Sequence, residues 1–350
     1  LNETMDSNWN SNIEIPEDNT IPDPEPDLPT DIEDVTEIQE ETVQVEDEYG
    51  NKVTIPKGFE VVEEEGTTVP EGIVIQDKDG NQFVWIPVGR VYKDNTGTNY
   101  SDIQLGRYTF NTSNGTPTLV QAAYTEENPE NYQKIITLTV GNYKYQEYAS
   151  RKNPDGIASS GTDGLNAIAK DLDGFMNSVK NNGGYYFARY EASYGSGSSV
   201  ADYKPLSKVS TSTTFSKSKI GSLWHDIKQI DAAKISRNMY NNDSSVDVES
   251  DLLNSYAYDT TIVFIQEMGH TNYANQYDGN GFIRNTGETG DKVCNIYDMA
   301  SNCFEWTTEY CTTKSYPCVK RGGRCYFTYE YTALRGSGVL ANGYERGLFF

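Results

Sequence analysis

The residues most able to do acid–base or nucleophilic chemistry in this chain are few: two histidines and five cysteines among 350 residues. His225 follows a tryptophan, and His270 lies in a Gly-His-Thr sequence. Either imidazole could act as a general base, but no partner is evident, so a structural or surface role is favoured for both. The sequence also lacks the GxxxxGK[ST], HExxH and GxSxG motifs of phosphate-binding, zinc-protease and serine-hydrolase sites.

The cysteines all lie beyond residue 293, and none forms a Cys-x-x-Cys pair, so we do not expect a zinc site. They are Cys294, Cys303, Cys311, Cys318 and Cys325. Cys294 and Cys318 could form a disulfide or remain buried thiols, and buried thiols are favoured.

A different chemistry is concentrated in residues 321–350, where Tyr, Phe and Arg alternate with Gly and Ser. Aromatic side chains give large contact areas at small rotamer cost, as in antibody paratopes, and Arg adds bidentate donors. The four arginines of this segment outnumber its two glutamates. The alternative is that these aromatics form ordinary core, because 26 tyrosines are spread over the chain. A binding face is favoured for Phe327 and Tyr329, whereas Tyr331 is equally compatible with either role.

The net charge of −24 comes mainly from the N-terminal end, since residues 1–50 hold 17 of the 52 acidic residues and none of the 28 basic ones. Residues 1–42 are also proline-containing, which predicts a disordered acidic tail, more simply a solvated linker than an interaction segment. The acidic balance argues against nucleic acid as a partner. No apolar run is long enough for direct membrane insertion. Because the chain begins with Leu1, we expect a native start, signal peptide or anchor to lie upstream.

The elements that must position these residues follow an α+β pattern of antiparallel, loop-rich sheets with a few helices. Residues 43–56 and 73–87 each predict a hairpin around Gly-Asn, and strands are expected at 135–140 and 185–193. Apolar spacing predicts helices over 165–179, 230–240 and 250–269, the last with Ser250 as its N-cap. We therefore predict one domain over 43–350.

Five ordered motifs add a family resemblance to this pattern. They are FVWIPVG (83–89), GGYYFARYEAS (183–193), QIDAAKISRNMY (229–240), YDMASNCFEWTTEY (297–310) and CVKRGG (318–323). Together they resemble the formylglycine-generating-enzyme (sulfatase-modifying-factor) superfamily. The resemblance implies a C-type-lectin-like fold.

The enzymes of that superfamily hold copper with two cysteines placed shortly after the RGG motif. Here Cys325 is the last cysteine of the chain, and two histidines cannot supply the iron triad of the related sulfoxide synthases. The motifs are most similar to non-catalytic variable proteins of diversity-generating retroelements in gut Firmicutes and their phages. That resemblance implies a diversified C-terminal segment, about 321–350, that contacts an external protein or glycan. The implied ligand-binding residues are Arg324, Cys325, Tyr326, Phe327, Tyr329, Glu330, Leu334, Gly336, Val339 and Tyr344.

The sequence is also compatible with a calcium site and with two other functions. Asn302 and Glu305 match positions near a calcium site of the enzyme branch, although hydrogen bonding to neighbouring loop backbone is favoured and no other cofactor is expected. A formylglycine-generating oxidoreductase acting on a sulfatase cysteine is the first alternative function. A surface structural or adhesion protein is the second. The binding-protein reading places the chain at a cell surface, outside the cell or on a phage particle.

Overall fold

The computed structural model describes residues 28–123, 135–148, 172–312, 318–326, 330–338 and 345–347. The helices are α1 Leu172–Asn182, α2 Gln229–Asn238 and α3 Ser255–Glu267. The strands are β1 Val43–Glu46, β2 Lys52–Ile55, β3 Phe59–Val61, β4 Val74–Asp77, β5 Gln82–Pro87, β6 Gly89–Tyr92, β7 Tyr100–Ile103, β8 Gly106–Phe110, β9 Pro117–Ala122, β10 Ile135–Val140, β11 Tyr143–Tyr148, β12 Gly184–Ala188, β13 Ser193–Ser196, β14 Lys204–Leu206, β15 Lys292–Val293, β16 Ile296–Tyr297, β17 Phe304–Cys311, β18 Cys318–Arg321, β19 Arg335–Gly338 and β20 Glu345–Gly347. The predicted α+β class, with mostly antiparallel sheets, is confirmed.

The two hairpins predicted from Gly-Asn are present as β1–β2 and β4–β5, and they close in the same way. In the second, Asp77 Oδ1 accepts hydrogen bonds from the backbone N–H groups of Asp79 and Asn81, both at 2.9 Å. Asp47 does the same in the first turn, with Tyr49 and Asn51 at 3.0 and 2.8 Å. An aspartate that bonds the backbone two and four residues ahead fixes the turn.

The largest sheet runs in the order β10-β11-β17-β18-β19, with β20 parallel to β17. Every residue of β17 is buried, as expected for a central strand covered on both faces. A second sheet has the order β12-β5-β4-β3.

The helix α3 is buried along almost its whole length, from Ser255 to Ile265. It begins later than predicted because Asn254 is its N-cap, with Oδ1 accepting from the N–H of Ala257 at 2.9 Å. Ser250 instead donates its hydroxyl to the carbonyl of Ser236 at 2.7 Å. The helix predicted over 230–240 is present as α2. The helix predicted over 165–179 is described from Leu172 onward, and residues 165–171 lie outside the described residues.

Residues 28–42 of the predicted tail lie within the described part of the structure. Ile32 and Val35 are buried in the main core, and the carbonyl of Val35 accepts from the N–H of Val61 at 2.8 Å. The burial of these two apolar side chains holds this stretch against the domain even though its composition is acidic. Residues 1–27 of the predicted tail lie outside the described residues.

Two further expectations concern the cysteines and the membrane. All five cysteines are buried and outside any disulfide, so Cys294 and Cys318 are thiols and not a disulfide pair. Within the described ranges, the structure contains no helix with the length and apolar character needed to cross a bilayer.

Candidate functional site

Three arginines share two carboxylates in the interior, beneath the predicted binding segment. Arg107 Nη2 in β8 and Arg335 Nε in β19 lie 2.5 and 3.1 Å from Glu309 Oε1 in β17. Arg321 Nη2 in β18 lies 2.6 Å from Oδ1 of Asp259 in α3, and Arg335 pairs with the same aspartate. Burial alone would raise the pKa of Glu309, but the three arginines hold it well below its ordinary value. The buried carboxylate of Glu309 is therefore ionised at neutral pH.

A third buried acid, Glu147 in β11, lies beside this network. Its carboxylate accepts from the N–H of Ser255 at 2.8 Å and from the hydroxyl of Thr308 at 2.7 Å. Burial raises the pKa of Glu147 to about 7, and the nearby negative charge of Glu309 acts in the same direction. Burial thus favours the neutral, protonated form of Glu147.

The ion-pair network holds both ends of the segment that runs from Arg321 to Arg335. These two residues face each other across the antiparallel pairing of β18 and β19. Arg321 Nε donates to the carbonyl of Leu334 at 2.9 Å, and Arg335 Nη1 donates to the carbonyl of Tyr108 at 3.1 Å. All of these partners are backbone or buried charge. The backbone at both ends of the segment is therefore fixed independently of the side chains at its exposed positions.

Steric constraints require glycine at both glycine positions of the RGG motif. Gly322 has a φ of +83°, and a Cβ there would overlap the carboxylate of Glu305. A Cβ on Gly323 would overlap the carbonyl of Ala300. The chain can therefore turn tightly over the 299–305 segment only with glycine at both positions.

The structure places the first predicted ligand-binding residues in different environments. Arg324 Nε forms an ion pair with Glu330 Oε2 at 2.5 Å, and its guanidinium lies 5.0 Å from the ring centroid of Phe304. Cys325 is only 1% exposed, whereas Tyr326 is 44% exposed. Burial raises the pKa of the Cys325 thiol to about 11. Cys325 is thus a packing residue and not part of an exposed face, whereas its neighbour Tyr326 in the same turn is exposed to solvent.

The remaining predicted positions are described only in part. Leu334 is half-buried, and its N–H donates to the carbonyl of Tyr331 at 2.9 Å. Gly336 lies opposite Lys320 in the β18–β19 pairing. Four of the predicted ligand-binding residues lie outside the described residues: Phe327, Tyr329, Val339 and Tyr344.

A second loop, residues 276–284, lies beside this segment and was missed by the sequence analysis. The N–H of Gly281 donates to the carbonyl of Cys325 at 2.6 Å, and the N–H of Thr332 donates to the carbonyl of Gln276 at 3.0 Å. Three large exposed aromatic side chains directly neighbour these bonded residues in sequence, and together we call them the aromatic face. It consists of Tyr277, Phe282 and Tyr326, which are 49%, 58% and 44% exposed. The sequence does show aromatic residues in a Gly- and Asn-rich loop, which is typical of a binding loop. Only the fold shows that this loop lies beside the 321–335 segment.

The calcium candidates have polar partners within the protein. Asn302 Oδ1 accepts from the N–H of Arg284 at 2.8 Å, and Nδ2 donates to Glu191 Oε2 at 2.5 Å. Glu305 is fully buried, and burial raises its pKa well above the ordinary value, with further contributions from two buried aspartates. Among the described residues, no group of three or more His, Cys, Asp or Glu side chains is arranged to hold a metal ion. The calcium site stays a prediction.

The histidines lie outside the aromatic face and the 321–335 segment. His225 Nδ1 lies 2.8 Å from Asp226 Oδ2, and its Nε2 lies 3.1 Å from the carbonyl of Thr213. His270 is exposed, although partial desolvation of its ring lowers its pKa. These environments fit the structural or surface role favoured for the two residues.

No protein-family model, no curated protein and no solved structure matches this chain. The functional conclusion consequently depends on the geometry of the 321–335 segment and the aromatic face. Buried charges hold the ends of that segment, and its neighbouring loop presents large aromatic side chains to solvent.

Proposed function

We propose that this chain is a non-catalytic ligand-binding protein that presents its C-terminal segment, together with the 276–284 loop, to an external ligand. The observation that carries the proposal is the contrast between fixed ends and exposed aromatic positions. Arg321 and Arg335 are buried and ion-paired, whereas Tyr277, Phe282 and Tyr326 are about half exposed. Functional residues on a surface loop that is held by a rigid framework can vary without disturbing the core.

The character of the aromatic face favours a protein ligand over a glycan ligand. Tyrosine, phenylalanine and arginine are enriched at the centres of protein–protein interfaces, where a few aromatic side chains carry most of the binding energy. Arg284 lies 5.3 Å from the ring centroid of Phe282, and so places a cation beside the exposed aromatics. A rigid framework with aromatic and arginine contacts is also the arrangement of antibody-type paratopes.

The proposal extends to the fold family and the setting. The packing of Gly322 and Gly323, and the buried position of Arg321, give a physical reason for the RGG motif, one of the five on which the resemblance is based. On the basis of that resemblance, the proposed domain is C-type-lectin-like with a diversified segment, displayed at a cell surface or on a phage particle.

A display experiment tests the binding face directly. Positions 324, 326, 327, 329, 334 and 339 are randomised in a yeast-displayed library, which is sorted for binding to lysozyme as a probe protein. A control library randomises the exposed positions 37, 40, 41, 44, 46 and 48. We expect folded lysozyme binders from the first library in clear excess over the control. Equal yields, or a first library that fails to fold, would count against the proposal.

The DNA flanking the gene tests the diversified character separately. We expect a reverse-transcriptase gene and a near-identical repeat of the C-terminal coding segment that differs only at adenines. If neither is present, the face is a fixed binding site and not a diversified one.

A further inference from the structure

A single buried residue joins the two segments that carry the aromatic face. Asn302 is 2% exposed and lies between the end of β16 and the start of β17. Its Oδ1 accepts from the N–H of Arg284 at 2.8 Å, and its Nδ2 donates to the carbonyl of the same residue at 3.1 Å. The side-chain amide thus bonds both backbone groups of one loop residue, as the backbone of a paired strand does.

The backbone of Asn302 holds the other segment. Its carbonyl accepts from the N–H of Cys325 at 3.0 Å. The carbonyl of Cys325 in turn accepts from the N–H of Gly281 at 2.6 Å. Together with the bonds to Arg284, these contacts close a hydrogen-bonded circuit that runs through both segments. Asn302 completes the circuit because it uses its side chain for one segment and its carbonyl for the other.

Two residues of the aromatic face are positioned by this circuit. Phe282 lies within it, one residue after Gly281 and two before Arg284. Tyr326 directly follows Cys325. The side chains of Phe282 and Tyr326 are 58% and 44% exposed, so packing against the protein covers only part of each. The backbone bonds of the circuit therefore set where these two aromatic rings stand.

The amide of Asn302 is itself held from the side of the core. Nδ2 also donates to Glu191 Oε2 at 2.5 Å, and Glu191 is fully buried. The two groups that face Nδ2 are acceptors and the group that faces Oδ1 is a donor, so one orientation of the amide satisfies all of these bonds. Asn302 also has a φ of +58°, a left-handed conformation that Asn adopts more readily than most residues. The position thus requires both the amide and the backbone preference of asparagine.

These contacts define a role for Asn302 that rests on the binding function proposed above. We propose that Asn302 is the positioning residue of the aromatic face and holds Phe282 and Tyr326 in their binding arrangement before the ligand arrives. A face that is already ordered loses less conformational entropy when it binds. Removal of the Asn302 side chain should therefore leave the domain folded and weaken its affinity for the ligand.

Hydrogen exchange tests the positioning role without any ligand. The full chain is labelled with ¹⁵N at arginine and cysteine, and the variants Arg284→Lys and Cys325→Ser assign the two amide signals by NMR. Asn302→Gly removes the side chain, and glycine tolerates the positive φ. We expect the N–H of Arg284 to exchange at least about tenfold faster in this variant. The N–H of Cys325 should keep its rate, because its acceptor is a backbone carbonyl that the variant retains.

A matched variant and a binding measurement complete the test. Asn242 has nearly the same φ, +59°, but is exposed. Asn242→Gly should change neither exchange rate. In lysozyme-binding clones from the display library, Asn302→Gly should weaken lysozyme binding about tenfold and Asn242→Gly should leave it unchanged.

The outcomes separate this role from the proposed function. A display library without binders would contradict the binding function, whereas the exchange rates would still decide whether Asn302 holds the loop. The positioning role is overturned if the N–H of Arg284 in the unaltered protein exchanges as fast as in an unstructured peptide. It is also overturned if Asn302→Gly does not fold, if it accelerates both amides equally, or if it leaves lysozyme binding unchanged.

Discussion

Arg321 Nη2 and Asp259 Oδ1 lie 2.6 Å apart in the interior, which ties the strand β18 to the middle of the buried helix α3. Asp259 also pairs with Arg335 of the neighbouring strand β19. A single helix carboxylate thus positions the two strands that bracket the proposed binding segment. Loss of the Asp259 carboxylate should therefore weaken the attachment of both strands, β18 and β19, to α3.

Replacing Asp259 with asparagine should lower the free energy of unfolding by about 3–5 kcal/mol, because it leaves buried arginine charge without its partner. Urea denaturation measures the change. Asp102→Asn is the matched control, since Asp102 pairs with Arg90 at an exposed site, where such pairs contribute no more than about 1 kcal/mol. Similar losses in the two variants would show that the buried network is not a major source of stability.

The stability should depend on pH through Glu147, whose pKa is raised by burial from the ordinary value of 4.5 to about 7. Between these values the folded protein holds a proton that the unfolded chain has released, so stability falls as the pH rises from about 4.5 to 7. Glu147→Gln should make this decline shallower, as measured by urea denaturation across that range. Part of the decline should remain, because burial also raises the pKa of Asp298 to about 7. An unchanged slope in the variant would contradict this prediction.

Gly322→Ala should destabilise the fold by about 3 kcal/mol, because the added methyl group overlaps the Glu305 carboxylate at a residue with positive φ. Gly141→Ala separates the two causes. Gly141 also has a positive φ, of +59°, but a Cβ there meets nothing within 4 Å. We expect this control to lose only about 1 kcal/mol in thermal or urea denaturation. Equal losses would remove the packing explanation for the RGG motif.

The thiol of Cys325 should be unreactive in the folded protein. It is buried, its pKa is raised to about 11, and the other four cysteines are buried as well. Titration with Ellman's reagent at pH 8 should therefore detect almost no thiol in the native state and all five after unfolding in guanidinium. If one thiol of the native protein reacts rapidly, and this reaction is lost in Cys325→Ala, the Cys325 thiol is exposed and the prediction is wrong.

The loop 276–284 should contribute to ligand binding even though it was not among the predicted residues. In lysozyme-binding clones from the display library, Phe282→Ala should weaken lysozyme binding about tenfold, since Phe282 is next to the bond between Gly281 and Cys325. Tyr100→Ala removes an aromatic residue that is 43% exposed elsewhere on the surface. Biolayer interferometry should show no effect of this control. If Phe282→Ala weakens lysozyme binding no more than Tyr100→Ala does, the binding face is confined to the C-terminal segment.

Local features of the fold could be predicted from the sequence, because short-range chemistry decides them. The hairpins β1–β2 and β4–β5 follow from an aspartate, a glycine and an asparagine in each turn. The start of α3 could not be chosen correctly, because Ser250 and Asn254 are both capable N-caps. A tertiary hydrogen bond from Ser250 to Ser236 decides between them.

The long-range features had no sequence signal of comparable strength. Arg107 and Glu309 are 202 residues apart in sequence, and Arg335 and Asp259 are 76 apart. Nothing in their local sequence indicates that these charges are buried together. The exposure of Tyr326 and the burial of Cys325 likewise depend on how the chain turns over the 299–305 segment.

The pairing of β18 with β19 has a consequence for how the domain can change over evolutionary time. Because Arg321 lies opposite Arg335, the strand pairing has already closed the loop between them. Doubling the length of a closed flexible loop adds only about 0.6 kcal/mol of closure free energy. Insertions between Tyr326 and Glu330 should therefore be nearly neutral for folding. The same framework could then vary the reach of its loop as well as its side chains, and so contact recessed as well as flat ligand surfaces.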